Sequence, residues 1–189
     1  MTTVPQGKPC AGNPHARFEE GASAQAEPRR SALLHTNQSV RLKSPFTGVK
    51  GDKCFGCSQA NPHGLHLEFF EEGDEVVCRW RPDPRFQSWD GVLHGGITAT
   101  ILDETAGWTA MRRFQRTAMT TRLEVRYLKP VLVDGVIVAR ARYLKQVNEK
   151  IARFVATIEN ANGVILSEAE ADYYIMDEER SRAMGFTSL

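Results

Sequence analysis

Between Gly91 and Met111 the chain holds two neighbouring carboxylates, Asp103 and Glu104, and otherwise no charged residue beyond the titratable His94. The rest of this stretch is Ile, Leu, Val, Ala, Thr and Gly, with Trp108 and Met111 towards its end. Its spacing is helical, and it has no continuous polar face. A helix apolar all round has to be buried on every side. The remaining chain must therefore wrap it. Thr98, Ala99, Ala106, Gly107 and Ala110 are small enough to let a sheet approach closely.

The flanking sequence supplies that sheet. Leu65, Leu67 and Phe69 alternate as one face of a strand, and Val76, Cys78 and Trp80 form a return strand after Glu72-Gly73-Asp74. Asn61-Pro62-His63-Gly64 reads as a turn and 81–90 as a loop before a helix over about 94–113. Four more alternating segments follow. Their apolar sets are Leu123, Val125 and Tyr127; then Ile137, Ala139, Ala141 and Tyr143; then Ala152, Phe154, Ala156 and Ile158; and last Ile165, Ala169, Ala171, Tyr173 and Ile175. Turn residues separate them at Asp134-Gly135, Asn148-Glu149 and Asn160-Ala161-Asn162-Gly163. The order ββαββββ predicts an α+β domain, with an antiparallel sheet of about six strands around one long central helix.

The two acids then need a reason to be there. An ionised carboxylate left unpaired in a protein interior costs several kcal/mol or is neutralised by a shifted pKa, so acids in such a setting are candidates for chemistry. Asp103 suits a general base or a nucleophile. Glu104 points about 100° away on the same helix and reads as a structural or solvated partner, with an arginine as its expected counterpart. At the other end of the helix, Gly95 and Gly96 follow His94. Their N–H groups belong to the first turn, whose donors lack helical partners and suit a developing oxyanion. Eight residues separate Gly95 from Asp103, about 12 Å along a helix. One substrate carbonyl cannot reach both within one chain, so joint action calls for helices of two subunits side by side. The alternative is a tight Gly-Gly turn before a core helix, with Asp103 satisfied locally.

His94-Gly95-Gly96, with Asp103 nine residues after the histidine, and the later run Met119-Thr120-Thr121-Arg122-Leu123-Glu124-Val125-Arg126-Tyr127-Leu128-Lys129-Pro130 resemble the hotdog-fold thioesterases of the PaaI type. The likeness is greater to the branch that includes the THEM-type acyl-CoA thioesterases. It covers roughly Cys54 to Met176. It implies the hotdog fold and hydrolysis of an acyl-coenzyme A thioester. It also implies catalytic roles for Asp103, Gly95, His94 and Thr120, and a homodimer or a dimer of dimers. His94 either orients substrate or fixes the Gly-Gly turn. Thr120 matches a site threonine that would position water, and a slip of one residue in register would exchange it with Thr121. Gly96, Asn61, Thr121, Arg122, Lys129 and Arg153 are the candidate substrate-binding residues, the cations for the phosphates of coenzyme A. For Asn61 a turn-forming role competes. Two other functions stand beside hydrolysis: a non-catalytic acyl-CoA-binding protein, and a hotdog hydratase or dehydratase suggested by Asn61-Pro62-His63.

Composition excludes other classes. A net charge of +1 leaves no nucleic-acid footprint. No apolar run approaches the ~20 residues of a membrane span, and the N-terminal residues lack the apolar core of a signal peptide. A cytoplasmic location is expected. Four cysteines, Cys10, Cys54, Cys57 and Cys78, are too few for a disulfide scaffold. Cys54-Phe55-Gly56-Cys57 is half of a zinc motif with no second pair in the chain, so neither metal nor cofactor is expected. A Cys₄ site across a dimer remains geometrically open. Five of the nine prolines fall within 1–53, a core-poor composition that predicts a flexible extension. The domain is expected over 54–177, with a frayed tail over 178–189.

Overall fold

A computed structural model describes residues 39–46 and 53–189. The expected extension, 1–53, thus lies outside the described residues except for 39–46 and 53, as does Cys10.

The apolar stretch forms a twenty-residue helix, α1, Gly95–Phe114. Thr98, Ile101, Leu102, Thr105, Ala106, Trp108, Thr109 and Ala110 are buried along it. Its buried threonines are hydrogen-bonded: Thr105 Oγ1 donates to Ile101 O at 2.7 Å and Thr109 Oγ1 to Thr105 O at 2.8 Å. Back-bonding of this kind lets hydroxyls sit inside a core without an unmet donor. Arg112 and Arg113 lie in the last turn, where the helix dipole favours cations.

The strands are β1 (Val40–Arg41), β2 (Phe69–Glu72), β3 (Glu75–Trp80), β4 (Gln87–Trp89), β5 (Val92–Leu93), β6 (Ala118–Tyr127), β7 (Ile137–Gln146), β8 (Ile151–Asn160) and β9 (Ile165–Ile175). Seven form one antiparallel sheet in the order β1-β2-β3-β7-β8-β9-β6. β4, inside the expected loop, and β5, just after it, make a separate pair. The six expected strands are β2, β3 and β6–β9, and the seventh is β1. One face of the sheet closes on α1, with Phe69, Val76, Cys78, Ala139, Ala141, Phe154, Ile158, Ala171 and Tyr173 all buried. Phe69 stacks on Trp108 with ring centroids 4.7 Å apart.

Three boundaries differ from the sequence expectation. Leu65 and Leu67 are buried, yet their N–H groups donate to Phe55 O and Gly56 O instead of a neighbouring strand. The Cys54–Cys57 loop thus takes the place of a ladder partner there, and β2 starts at Phe69. Residues 39–46 pack on the domain: β1 pairs with β2, and Pro45 is buried. The tail 178–189 is not frayed. It forms a short helix, α2, Glu178–Ala183, capped by Asp177, and then returns to the core through the buried Phe186. Thr187 donates to Pro45 O, and the Phe46 and Phe186 rings meet edge-on at 5.9 Å. One aromatic and one capping aspartate suffice to dock a segment whose composition reads as polar.

Candidate active site

The helix N-terminus is held from three directions. Gly91 takes a left-handed turn, φ +73°, open to glycine at no cost. Leu93 N–H donates to Val131 O and His94 N–H to Phe86 O. His94 is the N-cap, with Nδ1 accepting from Gly96 N–H at 2.9 Å. An accepting Nδ1 places the ring proton of the neutral imidazole on Nε2. Gly96 N–H is therefore engaged, while Gly95 N–H has no acceptor among the described residues. Tyr127 OH donates to Gly95 O at 3.0 Å and ties the end of β6 to this turn.

Asp103 lies at the other end of the same arrangement, because β6 runs antiparallel to α1. Thr120 Oγ1 donates to Asp103 Oδ1 at 2.9 Å, and the one proton of Tyr173 OH is shared between that oxygen, at 2.7 Å, and the backbone Asp103 O, at 2.5 Å. The register of β6 against β9 shifts between Thr120 and Arg122. A bulge of this kind re-aims side chains: Thr121 turns away and donates to Asp172 O at 3.0 Å. Burial and the neighbouring Asp103 carboxylate hold the Tyr173 phenol well above its ordinary pKa, so it stays a donor. Tyr173 is absent from the sequence-derived site. It sits in the apolar set of a strand, where an aromatic reads as core.

Asp103 and Tyr173 line a pocket of about 200 Å³ together with Thr120, Glu104, Gly107, Trp108 and Met111. Its other wall includes Ser44, Phe46, Cys54 and Cys57. Glu104 pairs with no arginine among the described residues. It sits beneath the Cys54–Cys57 loop, with Cys54 Sγ and Glu104 Oε1 hydrogen-bonded at 3.1 Å. Burial, then the adjoining Cys54, pushes the Glu104 carboxyl up to about 8. Hydrogen bonding from Cys57 brings the Cys54 thiol down to about 5, and the Cys57 thiol is raised by the same interaction.

The remaining candidates are scattered. Asn61 Oδ1 accepts from His63 N–H at 3.0 Å, and its Nδ2 donates to Lys53 O, so both side-chain atoms serve their own turn. His63 is exposed on that turn. Arg153 makes a two-pronged pair with Asp172, at 2.6 and 2.8 Å, and a third contact to Glu170. Arg122 pairs with Glu124. Lys129 is exposed and makes no ion pair among the described residues. No described helix is long and apolar enough to cross a membrane.

Residues 90–167 match the family model "Thioesterase superfamily". That segment is similar to the thioesterase superfamily, and the sheet wrapped on one helix is the fold of its solved members. The thioesterase-superfamily segment thus spans α1, with both Gly95 and Asp103, and β6–β8. Similar solved structures include zebrafish thioesterase superfamily member 2 (22% identity, TM-score 0.55, 62% of this chain and 90% of that one) and the E. coli PaaI protein (13%, 0.54, 60% and 81%). Identities this low show the fold alone. Among curated proteins, acyl-coenzyme A thioesterase THEM4 of Rattus norvegicus is 32% identical over 92 residues, 47% of this chain and 39% of that protein. THEM4 of Bos taurus is 28% identical over 122 residues, 62% and 50%. The chain thus spans half or less of the length of these relatives.

Proposed function

We propose that the protein hydrolyses the thioester of an acyl-coenzyme A, at a site shared between two subunits. The observation that carries this reading is the carboxylate of Asp103, oriented by two hydroxyl donors in a pocket, about 12 Å along α1 from a backbone donor with no acceptor among the described residues. Oδ1 is held by Thr120 and Tyr173, which leaves Oδ2 to take a proton from water. That water attacks the thioester carbonyl. Gly95 N–H of the second subunit stabilises the oxyanion, as preorganised donors do most effectively. The thiolate of coenzyme A leaves and takes the proton back from Asp103. His94 fixes the turn that aims Gly95. Lys129, the unpaired cation of the three candidates, is the leading partner for phosphate. The names of the curated relatives support the same substrate class. The turn-bound Asn61 gives no support to a hydratase.

Two features favour the shared site. Among the described residues β6 is an edge strand of ten residues, paired with β9 alone, and open edges of this length are usually covered. If two β6 strands pair antiparallel about a two-fold axis, the Gly95 end of one subunit meets the Asp103 end of the other. Exposed apolar residues surround that edge: Met119, Tyr127 and Leu128 on or beside it, and Trp89 and Leu132 linked through Val92.

Release of free coenzyme A from short, medium, long and aromatic acyl-CoAs is the deciding assay. Asp103→Asn should lower kcat by roughly 10²–10⁴-fold, the range for general acid–base groups, with substrate binding retained. Glu104→Gln should lose far less. A wild-type kcat in Asp103→Asn ends the assignment, and binding without release in the wild type would mean a non-catalytic acyl-CoA-binding protein.

A further inference from the structure

The Cys54–Cys57 loop and Glu104 come together by folding, 50 residues apart in sequence, and the proposed hydrolysis uses none of them. Cys54 Sγ, Cys57 Sγ and a Glu104 carboxylate oxygen all lie within 4.8 Å of one another. Tetrahedral zinc at ordinary bond lengths needs sulfur and oxygen ligands about 3.5–3.8 Å apart, so the three atoms already stand close to a coordination shell. All three residues line the pocket.

The surroundings are built for this cluster. Gly56 accommodates the glutamate: a Cβ there would lie 2.4 Å from Glu104 Cγ and 2.5 Å from Cδ. Only glycine lets the loop close over the carboxylate. The backbone N–H groups of Gly56 and Cys57 point at Cys54 Sγ, the outer hydrogen bonding that orients metal ligands. Trp108 supplies a separate observation. Its side chain is 5% exposed, and its indole Nε1 is buried without a hydrogen-bond partner. Trp108 and Cys57 line the same pocket, and no group among the described residues accepts from that N–H. A donor left over in a core calls for an acceptor, and a metal-bound thiolate is a stronger one than a thiol. Finally, three groups that lose a proton to act as ligands converge where no Lys, Arg or His forms an ion pair with Glu104 among the described residues. His63 and His66 stay outside the cluster, with His66 Nε2 bonded to Asn61 O at 2.7 Å.

We infer that Cys54, Cys57 and Glu104 form a binding site for one zinc ion per chain, with the fourth coordination position open to the pocket that Asp103 lines. Two soft thiolates with one carboxylate select zinc over magnesium or calcium. Three protein ligands with one open position admit a water or another exchangeable ligand. The sequence alone offers only two ligands, which is why the motif reads as incomplete there.

The test reads metal and not turnover. The full chain is purified without chelator or metal-affinity resin, and its zinc is measured by elemental analysis. About one zinc per chain is expected, falling to below about a tenth in Cys57→Ser, with Cys78→Ala as the cysteine control that keeps it. Cobalt titration of the stripped, reduced protein should give thiolate-to-cobalt charge-transfer bands and intense tetrahedral d–d bands. The charge-transfer intensity should fall by about half in Cys57→Ser. Glu104→Gln keeps both thiolates but should bind zinc at least about tenfold more weakly in competition with a chromophoric chelator. Circular dichroism confirms that each variant folds. Metal-free protein that gives no charge-transfer band although thiol titration finds both cysteines reduced overturns the site. So does a Cys54–Cys57 disulfide that, once reduced, still takes up no zinc. Unchanged zinc affinity in Glu104→Gln removes the carboxylate and with it the three-ligand assignment.

Discussion

Thr120 and Tyr173 meet at one oxygen of Asp103, and each hydroxyl can be deleted without changing the shape of its side chain. Hydrogen bonds to a charged group contribute about 1.5–3 kcal/mol, so loss of either donor should lower kcat by roughly ten- to a hundredfold. Tyr173→Phe should cost more than Thr120→Val. Tyr173 is 2% exposed, and no solvent can replace its donor, whereas Thr120 lies where water can. Because both act on the same oxygen, the double variant should lose less than the product of the single losses. Coenzyme A release by purified, folded variants measures all three, and Thr120→Val as the more damaging single change would reverse the argument. The same residues mark what the sequence discloses at this scale. Asp103 stands out because an acid inside an apolar helix has no bland explanation. Thr120 is readable to within one residue, since the bulge that separates it from Thr121 leaves no trace in composition. Tyr173 is hidden, because its hydroxyl works on the apolar side of a strand that also carries Glu170 and Asp172.

Among the elements, the C-terminal segment and the residues that follow β1, Pro45 and Phe46, depend on one another. Phe186 is buried against Phe46, and Thr187 bonds to Pro45 O. Ser181 Oγ accepts from Thr117 N–H at the start of β6. Phe186→Ala should therefore cost about 3 kcal/mol, at the low end for a buried phenylalanine, and lower the melting temperature by roughly 10 °C. Since Ser44 and Phe46 line the pocket, KM should rise with it. An unchanged melting temperature would mean that the tail contributes nothing. A second element-level prediction concerns β8 and β9, where Arg153 stands directly across from Asp172. The guanidinium holds the Asp172 carboxyl below its ordinary value of 3.8. A carboxylate depressed in the folded state stabilises above its unfolded pKa, and that contribution is lost as pH falls through the folded one. Asp172→Asn should be the less stable protein at neutral pH, and the gap in melting temperature should close below about pH 4. A gap that persists to strongly acid pH would point to packing instead of charge. The long strands and α1 are legible because they repeat an apolar period over many residues. β1 has two residues and β4 three, too short to show a period. Leu65 and Leu67 keep a strand's alternation while bonding to a loop, so burial and pairing part company there.

For the whole molecule, the distance between Gly95 and Asp103 decides how many chains make one site. The single chain keeps its free donor and its oriented acid about 12 Å apart along α1. Two chains joined through β6 would own two composite sites, each with Gly95 from one subunit and Asp103 from the other. Gly95→Pro isolates the donor. Gly95 is the first helical residue, where proline is well tolerated and removes only the N–H. His94 before it already has φ −62° and ψ 133°, the extended conformation that a following proline requires. Gly95→Pro should thus fold, dimerise and lose most of its kcat, as Asp103→Asn does. Mixing the two inactive chains and letting subunits exchange creates heterodimers with one intact site and one doubly damaged site. With random exchange, half of the dimers are mixed, and activity should recover to about a quarter of the wild-type value. Sedimentation should find a species of at least twice the 21.1 kDa chain mass both before and after mixing. A fully active 21.1 kDa monomer, or a mixture that stays dead although mass spectrometry shows that the subunits have exchanged, would place donor and acid in separate functions and leave Asp103 to work within its own chain.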